Sequence, residues 1–171
     1  EGLRRIDPEG PEEGEDAIRL GYHSPPRTLD AQQFGQVVLK MAPYHLTLGD
    51  LDYDHLEVVY GFDLEYQGNH DQLVADTLFS EGPLAGLLTH ESVTHAIDVQ
   101  PFVGVSVSES CDTQVYVEIK SHTSAYEIRT QQYDAQQLSV FLTARKYWGI
   151  TESESLGDVH RALTAIAEEW G

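Results

Sequence analysis

The stretch His55-Leu56-Glu57-Val58-Val59-Tyr60-Gly61-Phe62-Asp63-Leu64-Glu65-Tyr66 alternates apolar and polar residues along most of its length. Leu56, Val58, Tyr60, Phe62, Leu64 and Tyr66 fall on one side, and His55, Glu57, Val59, Gly61, Asp63 and Glu65 on the other. Successive strand side chains point to opposite faces, so the pattern predicts a long half-buried strand in an antiparallel sheet with one wet side. Upstream, the pieces Gln36 to Met41 and Tyr44 to Leu48 read as shorter strands pairing with it, separated by Pro43. Downstream, alternation returns at Val103, Val105 and Val107, at Val115, Val117 and Ile119, at Tyr126 and Ile128, and at Leu138, Val140, Leu142 and Ala144. The short separators between these four predict a meander.

Helical signals punctuate the strands. Gly68-Asn69 gives a turn and an N-cap, Gln72 completes a capping box, and Leu73, Val74, Thr77 and Leu78 form a stripe, so a helix is expected to about Ser80. Residues Gly82 to Leu88 read as a connector with a short helical turn after Pro83. Ser155 is a candidate N-cap for a terminal amphipathic helix carrying Val159, Leu163, Ile166 and Trp170. The expected fold class is α+β: a mostly antiparallel sheet of about six or seven strands with two helices packed on one face. Residues 1–33, rich in Pro, Gly and Glu, are expected to form a partly disordered arm, and residues 34–171 a single domain.

Charge narrows the function classes. Ten Lys plus Arg against 29 Asp plus Glu give a net charge of -19, which repels phosphate backbones and anionic membrane surfaces. The asymmetry is sharpest between Lys40 and Lys120, where fourteen acids and no Lys or Arg occur. That stretch suits a solvated surface, a divalent cation, a basic protein partner or mimicry of nucleic acid. No apolar run approaches the roughly 20 residues of a membrane span, and the opening Glu1-Gly2-Leu3-Arg4-Arg5 is read as a trimmed or processed start. One cysteine, Cys111, cannot form an internal disulfide, so a soluble chain is expected with its compartment open and the cytoplasm slightly favoured.

The chemistry-bearing string is Gly68-Asn69-His70-Asp71. It is similar to the Gly-Asn-His-Asp/Glu motif of calcineurin-like metallophosphoesterases, and Gly49-Asp50 resembles that family's second motif. The resemblance implies a two-metal centre that activates water, with Asn69, His70 and Asp50 serving it. The chain departs from the family in having no early Asp-x-His and no later Gly-His-x-His. A helix N-cap accounts for Asn69 equally well, and a first helical turn for His70 and Asp71. Asp50-Leu51-Asp52-Tyr53-Asp54 sets three carboxylates at alternate positions, as the first half of a calcium loop does, but His55 and Gly61 stand where an EF-hand needs Gly and Glu. His90 and His95 are five apart, out of step with a zincin helix.

The candidate metal ligands are therefore Asp50, Asp52, Asp54, His70 and Asp71, with His90 or His95 as further donors. No nucleophile elbow, phosphate loop or dinucleotide fingerprint occurs. No cofactor is predicted beyond a divalent cation at those residues. The expected function is a non-enzymatic binding or self-association module, with a protein partner or a homo-oligomer and neither nucleic acid nor membrane. The alternatives are a metal-dependent hydrolase and a small-ligand pocket between sheet and helices.

Overall fold

The structure, a computed structural model, describes residues 18–49, 52–88, 90, 92–148 and 155–170. Residues 1–17, the greater part of the expected arm, lie outside the described residues. Among the described residues nine elements follow in order: helix α1 (Thr28–Leu46), strand β1 (His55–Tyr66), helices α2 (His70–Leu78) and α3 (Ala85–Leu88), strands β2 (Phe102–Ser106) and β3 (Thr113–Lys120), helix α4 (Ala125–Thr130), strand β4 (Gln136–Tyr147) and helix α5 (Leu156–Trp170).

The fold is α+β, but among the described residues its sheet has four strands rather than six or seven, and there are five helices rather than two. Three expected strands are helical. Gln36 to Met41 and Tyr44 to Leu48 fall largely in α1, where Phe34, Val37, Val38 and Met41 also satisfy the helical spacing of three, four and seven. A short apolar run fits either period, and in the fold it is the packing of α1 against α5 that accompanies the helix. Pro43 sits inside the last turn of α1, and Thr47 ends the helix in the left-handed conformation at φ 56°. Tyr126 and Ile128 fall in α4, which opens with a complete capping box: Ser124 accepts from the Glu127 amide while the Glu127 carboxylate accepts from the Ser124 amide.

The sheet order is β1-β4-β3-β2, antiparallel throughout. The expected four-strand meander is cut to β2, β3 and β4, with helix α4 standing between β3 and β4 where a third strand was expected, and β1 pairs with the last strand instead of with segments upstream. Register separates the two faces. Leu56, Val58, Tyr60, Phe62 and Leu64 stand level with Lys146, Ala144, Leu142, Val140 and Leu138 of β4. These continue into Val115, Val117 and Ile119 of β3 and Val103 and Val105 of β2. This is the apolar face. No Asp or Glu occupies any strand position on it, and Lys146 is its one charged residue.

Helix α5 packs on one half of this face. Its Val159, Leu163 and Ala167 are buried with Val115, Leu142 and Ala144, and Leu56, Val58, Tyr60 and Trp148 close around them. Helix α1 lies on α5, and its Gln32 amide donates to the Glu168 carboxylate at 2.6 Å and to the Tyr60 hydroxyl at 3.4 Å. At the crossing Gly35 faces the buried His160, whose Nε2 stands 2.8 Å from where a Cβ on Gly35 would sit. Only glycine lets the two helices approach so closely there.

Two outcomes are expected of the core. Leu163, wholly buried, leaves a cavity as Leu163→Ala, and urea unfolding should show a loss of about 2–5 kcal/mol. His160 has its ordinary value of 6.5 pushed down by burial, and its Nδ1 has no hydrogen-bond partner among the described residues. The unfolded chain then binds the proton more readily than the fold, so stability is complete above pH 6.5 and falls as pH drops through the lowered folded value. Melting temperatures taken from pH 7 to pH 5 should decline in the parent and lose that slope in His160→Gln.

Candidate functional site

The sequence-nominated ligands are set apart by β1. Twelve extended residues span roughly 40 Å, so Asp52 and Asp54 at the start of the strand and His70 and Asp71 beyond its end lie far from one another. Asp50 lies outside the described residues. Asp52 is exposed and its Oδ2 accepts from the Gly49 amide at 2.6 Å, closing a local turn. Asp54, also exposed, is 3.7 Å from His55 Nδ1. His90 Nδ1 is 2.8 Å from the Ser92 hydroxyl, and His95 Nε2 is 3.5 Å from Gln131 Nε2. Among the described residues no group of three His, Cys, Asp or Glu side chains is arranged to hold a metal ion.

His70 and Asp71, each 1% exposed, are joined to their surroundings as a structural staple. Asn69 caps α2, accepting from the Gln72 amide at 3.1 Å and donating through Nδ2 to the Ala96 carbonyl at 2.8 Å. The Asp71 Oδ1 accepts from the Val99 amide at 2.9 Å and from the Ser121 hydroxyl at 2.7 Å. The His70 amide donates to the Thr123 hydroxyl at 2.8 Å. Its ring accepts at Nδ1 from the His122 amide at 3.4 Å, which assigns the proton to Nε2, donating to the Tyr66 carbonyl at 3.2 Å. Both ring nitrogens are thus engaged, and the carboxylate sits in the first turn of α2 where the helix dipole favours it.

Beside this staple an open cleft of about 260 Å³ is lined by residues including Tyr66, Asn69, Gln72, His95, Gln131 and Tyr133. Its volume is below the roughly 300–1,000 Å³ of the usual small-molecule site, while a second open cleft of about 470 Å³ beside it, lined by residues including His122, Tyr126, Glu127 and Gln136, falls within that range. The polar groups of the first cleft largely bond to one another or to nearby backbone: Gln72 Nε2 donates to Asp76 at 2.8 Å, and Gln131 Nε2 to the Ile128 carbonyl at 2.6 Å.

The polar sheet face is laced with ion pairs and ring contacts. Arg145 pairs with Glu57, lies 5.2 Å above the Tyr116 ring and 5.7 Å above the Tyr147 ring, and donates to the Tyr147 hydroxyl at 2.8 Å. Phe102 stacks on Tyr116 at 5.4 Å, and Tyr116 lies against Gly104, where a Cβ would come within 2.6 Å of the ring. Lys120 pairs with Glu118 at 3.4 Å, and the Ser139 hydroxyl donates to Asp63 at 2.7 Å.

The apolar face differs. Beyond the footprint of α5, Phe62 and Leu64 remain 52% and 54% exposed, and Val103, Val105 and Val117 are exposed as well. Register joins them into one surface, Phe62 through Val140 to Ile119 and Val117 beside Val103. Alternation identified these residues as one face but carried no signal that half of it stays uncovered. A second exposed apolar stripe, Val37, Met41 and Tyr44, runs along the outside of α1, a segment the sequence assigned to strands. The exposed Cys111 occupies the β2–β3 turn at φ 59°.

No helix among the described residues is long and apolar enough to cross a membrane. Compared with protein-family models, with curated proteins and with solved structures, the chain finds no match.

If Asp71 is a staple, its loss is felt with no metal present. Asp71→Ala strands the Val99 amide and the Ser121 hydroxyl, and urea unfolding in EDTA should show a loss of about 2–3 kcal/mol. A metal ligand without a structural role would leave the chelated protein unchanged.

Proposed function

We propose that this domain is a non-enzymatic binding module whose working surface is the uncovered half of its apolar sheet face. One observation carries the reading: Phe62, Leu64, Val103, Val105 and Val117 are all exposed on the sheet face that holds no Asp or Glu, with the half-buried Val140 and Ile119 between them. Contiguous apolar patches of a few hundred Å² on soluble domains mark contact sites, because leaving such area in water forgoes about 25 cal/mol per Å². The absence of acids matters in a chain with a net charge of -19. Exclusion of carboxylates from this face removes the desolvation cost that a buried charge would impose on a partner. The opposite face carries ion pairs, Lys120 with Glu118 and Arg145 with Glu57, and a ring seated on Gly104.

The reading separates a contact surface from a core. Phe62→Ser with Val103→Thr should leave urea unfolding within about 1 kcal/mol of the parent when both are measured at sub-micromolar concentration, since exposed positions tolerate substitution. The dilute folded parent should bind the apolar dye ANS, and the double variant should lose that binding. A parent that binds no dye, or a variant that unfolds as a core mutant does, overturns the reading.

A further inference from the structure

We infer that the occupant of the open sheet half is a second copy of this chain, and that the outer stripe of its α1 is the part seated there, in a reciprocal two-fold dimer. The inference rests on the binding reading above and adds the partner's identity.

Two unpartnered apolar surfaces exist on the same side of the sheet. One is the open half of the apolar face, and the other is the stripe Val37, Met41 and Tyr44, with Tyr44 85% exposed. Helix α1 stands on that side because it packs on α5 and its Gln32 reaches the Tyr60 hydroxyl. Helix and sheet surfaces are complementary in kind: α5 already shows that this face accepts a helix. They are also alike in charge. Helix α1 carries a single acid, Asp30, which is paired with Arg27 at 2.6 Å, so seating it on the acid-free face brings no carboxylates together.

Area supports two contacts rather than one. Three exposed apolar side chains on α1 or five on the sheet make a smaller contact than the roughly 800 Å² per partner of a stable interface, and using both enlarges it. A two-fold axis supplies both at once, since each copy then offers its α1 to the other's sheet and receives one in return. The competing route, extension of the sheet through the β1 edges, is opposed by charge. Antiparallel β1–β1 pairing about Gly61 sets Glu57 against Glu65, and a shift by one pair sets Glu57 against Asp63. Like charges directly opposite destabilise a ladder.

Sedimentation equilibrium of the full chain tests the inference, with Met41→Lys on α1 and Val117→Glu on the sheet. The parent should dimerise, and more tightly as NaCl rises, because salt screens repulsion between two acidic copies. Each variant, folded by circular dichroism, should weaken the dimer about tenfold or more. Mixing the two should restore it, because the ammonium introduced on α1 of one copy then meets the carboxylate introduced on the sheet of the other, while the second contact keeps its parental residues. A parent that stays monomeric at every concentration overturns the second copy, while dye binding would still uphold the contact surface. Dissociation by the Val117 variant alone overturns α1 as the element seated there. Failure of the mixture to recover, with both single variants monomeric, overturns the reciprocal pairing.

Discussion

Helix α5 is about 22 Å long and 10 Å across, and the face it packs on is larger in both directions. The two long strands run roughly 40 Å, and four strands side by side add nearly 20 Å of width. One helix therefore covers one half. Val159, Leu163 and Ala167 meet Val115, Leu142 and Ala144, and this contact joins the sheet to the helical layer on which α1 rests. The open half follows from the same mismatch. Phe62, Leu64 and Val103 belong to the same alternating rows as the buried residues but stand on the edge strands β1 and β2, while Leu138 of β4, level with Leu64, is buried.

Charge and shape divide the surface into parts with different physical roles. On the polar face strong charges that register brings near one another are paired, as Arg145 with Glu57 and Lys120 with Glu118. Aromatic rings shield the same face by lying over the guanidinium and over Gly104. Such a face is stable in water and offers little to a partner beyond rim electrostatics. The apolar face has no acids to pair and no rings stacked over it beyond α5. The large negative charge keeps separate molecules apart at long range, and the acid-free surfaces allow contact once that repulsion is screened.

The Gly68-Asn69-His70-Asp71 string shows how residues associated with catalysis serve a fold. Asn69 satisfies a backbone donor that the start of α2 leaves unpaired, and His70 and Asp71 take donors from neighbouring segments. Asn69 caps, His70 engages the 122–123 backbone and Thr123, and Asp71 bonds to the Val99 amide and Ser121. Two segments without regular structure, 93–101 and 121–124, are thereby fastened to α2. The residue types a metal centre needs are also those that hold a buried turn, so the motif without spatial partners does not distinguish the two.

Sequence alone determined the elements whose signals are local and long. Twelve alternating residues specify β1, an Asn cap followed by Gln72 specifies the start of α2, and the wide apolar stripe from Val159 to Trp170 specifies α5. It also determined the two faces of the sheet, because a period of two assigns every side chain once the strand is known. Only the tertiary structure decided the rest. The segments 36–41 and 126–128 carry apolar residues that fit both periods, and a short window holds too few turns to choose. The cap pair Ser124 and Glu127 was legible for α4, but for α1 the choice depended on packing against α5. Where α5 ends, and hence which residues of a uniform apolar face stay in water, depends on contacts between segments about a hundred residues apart in the chain, which no local pattern encodes.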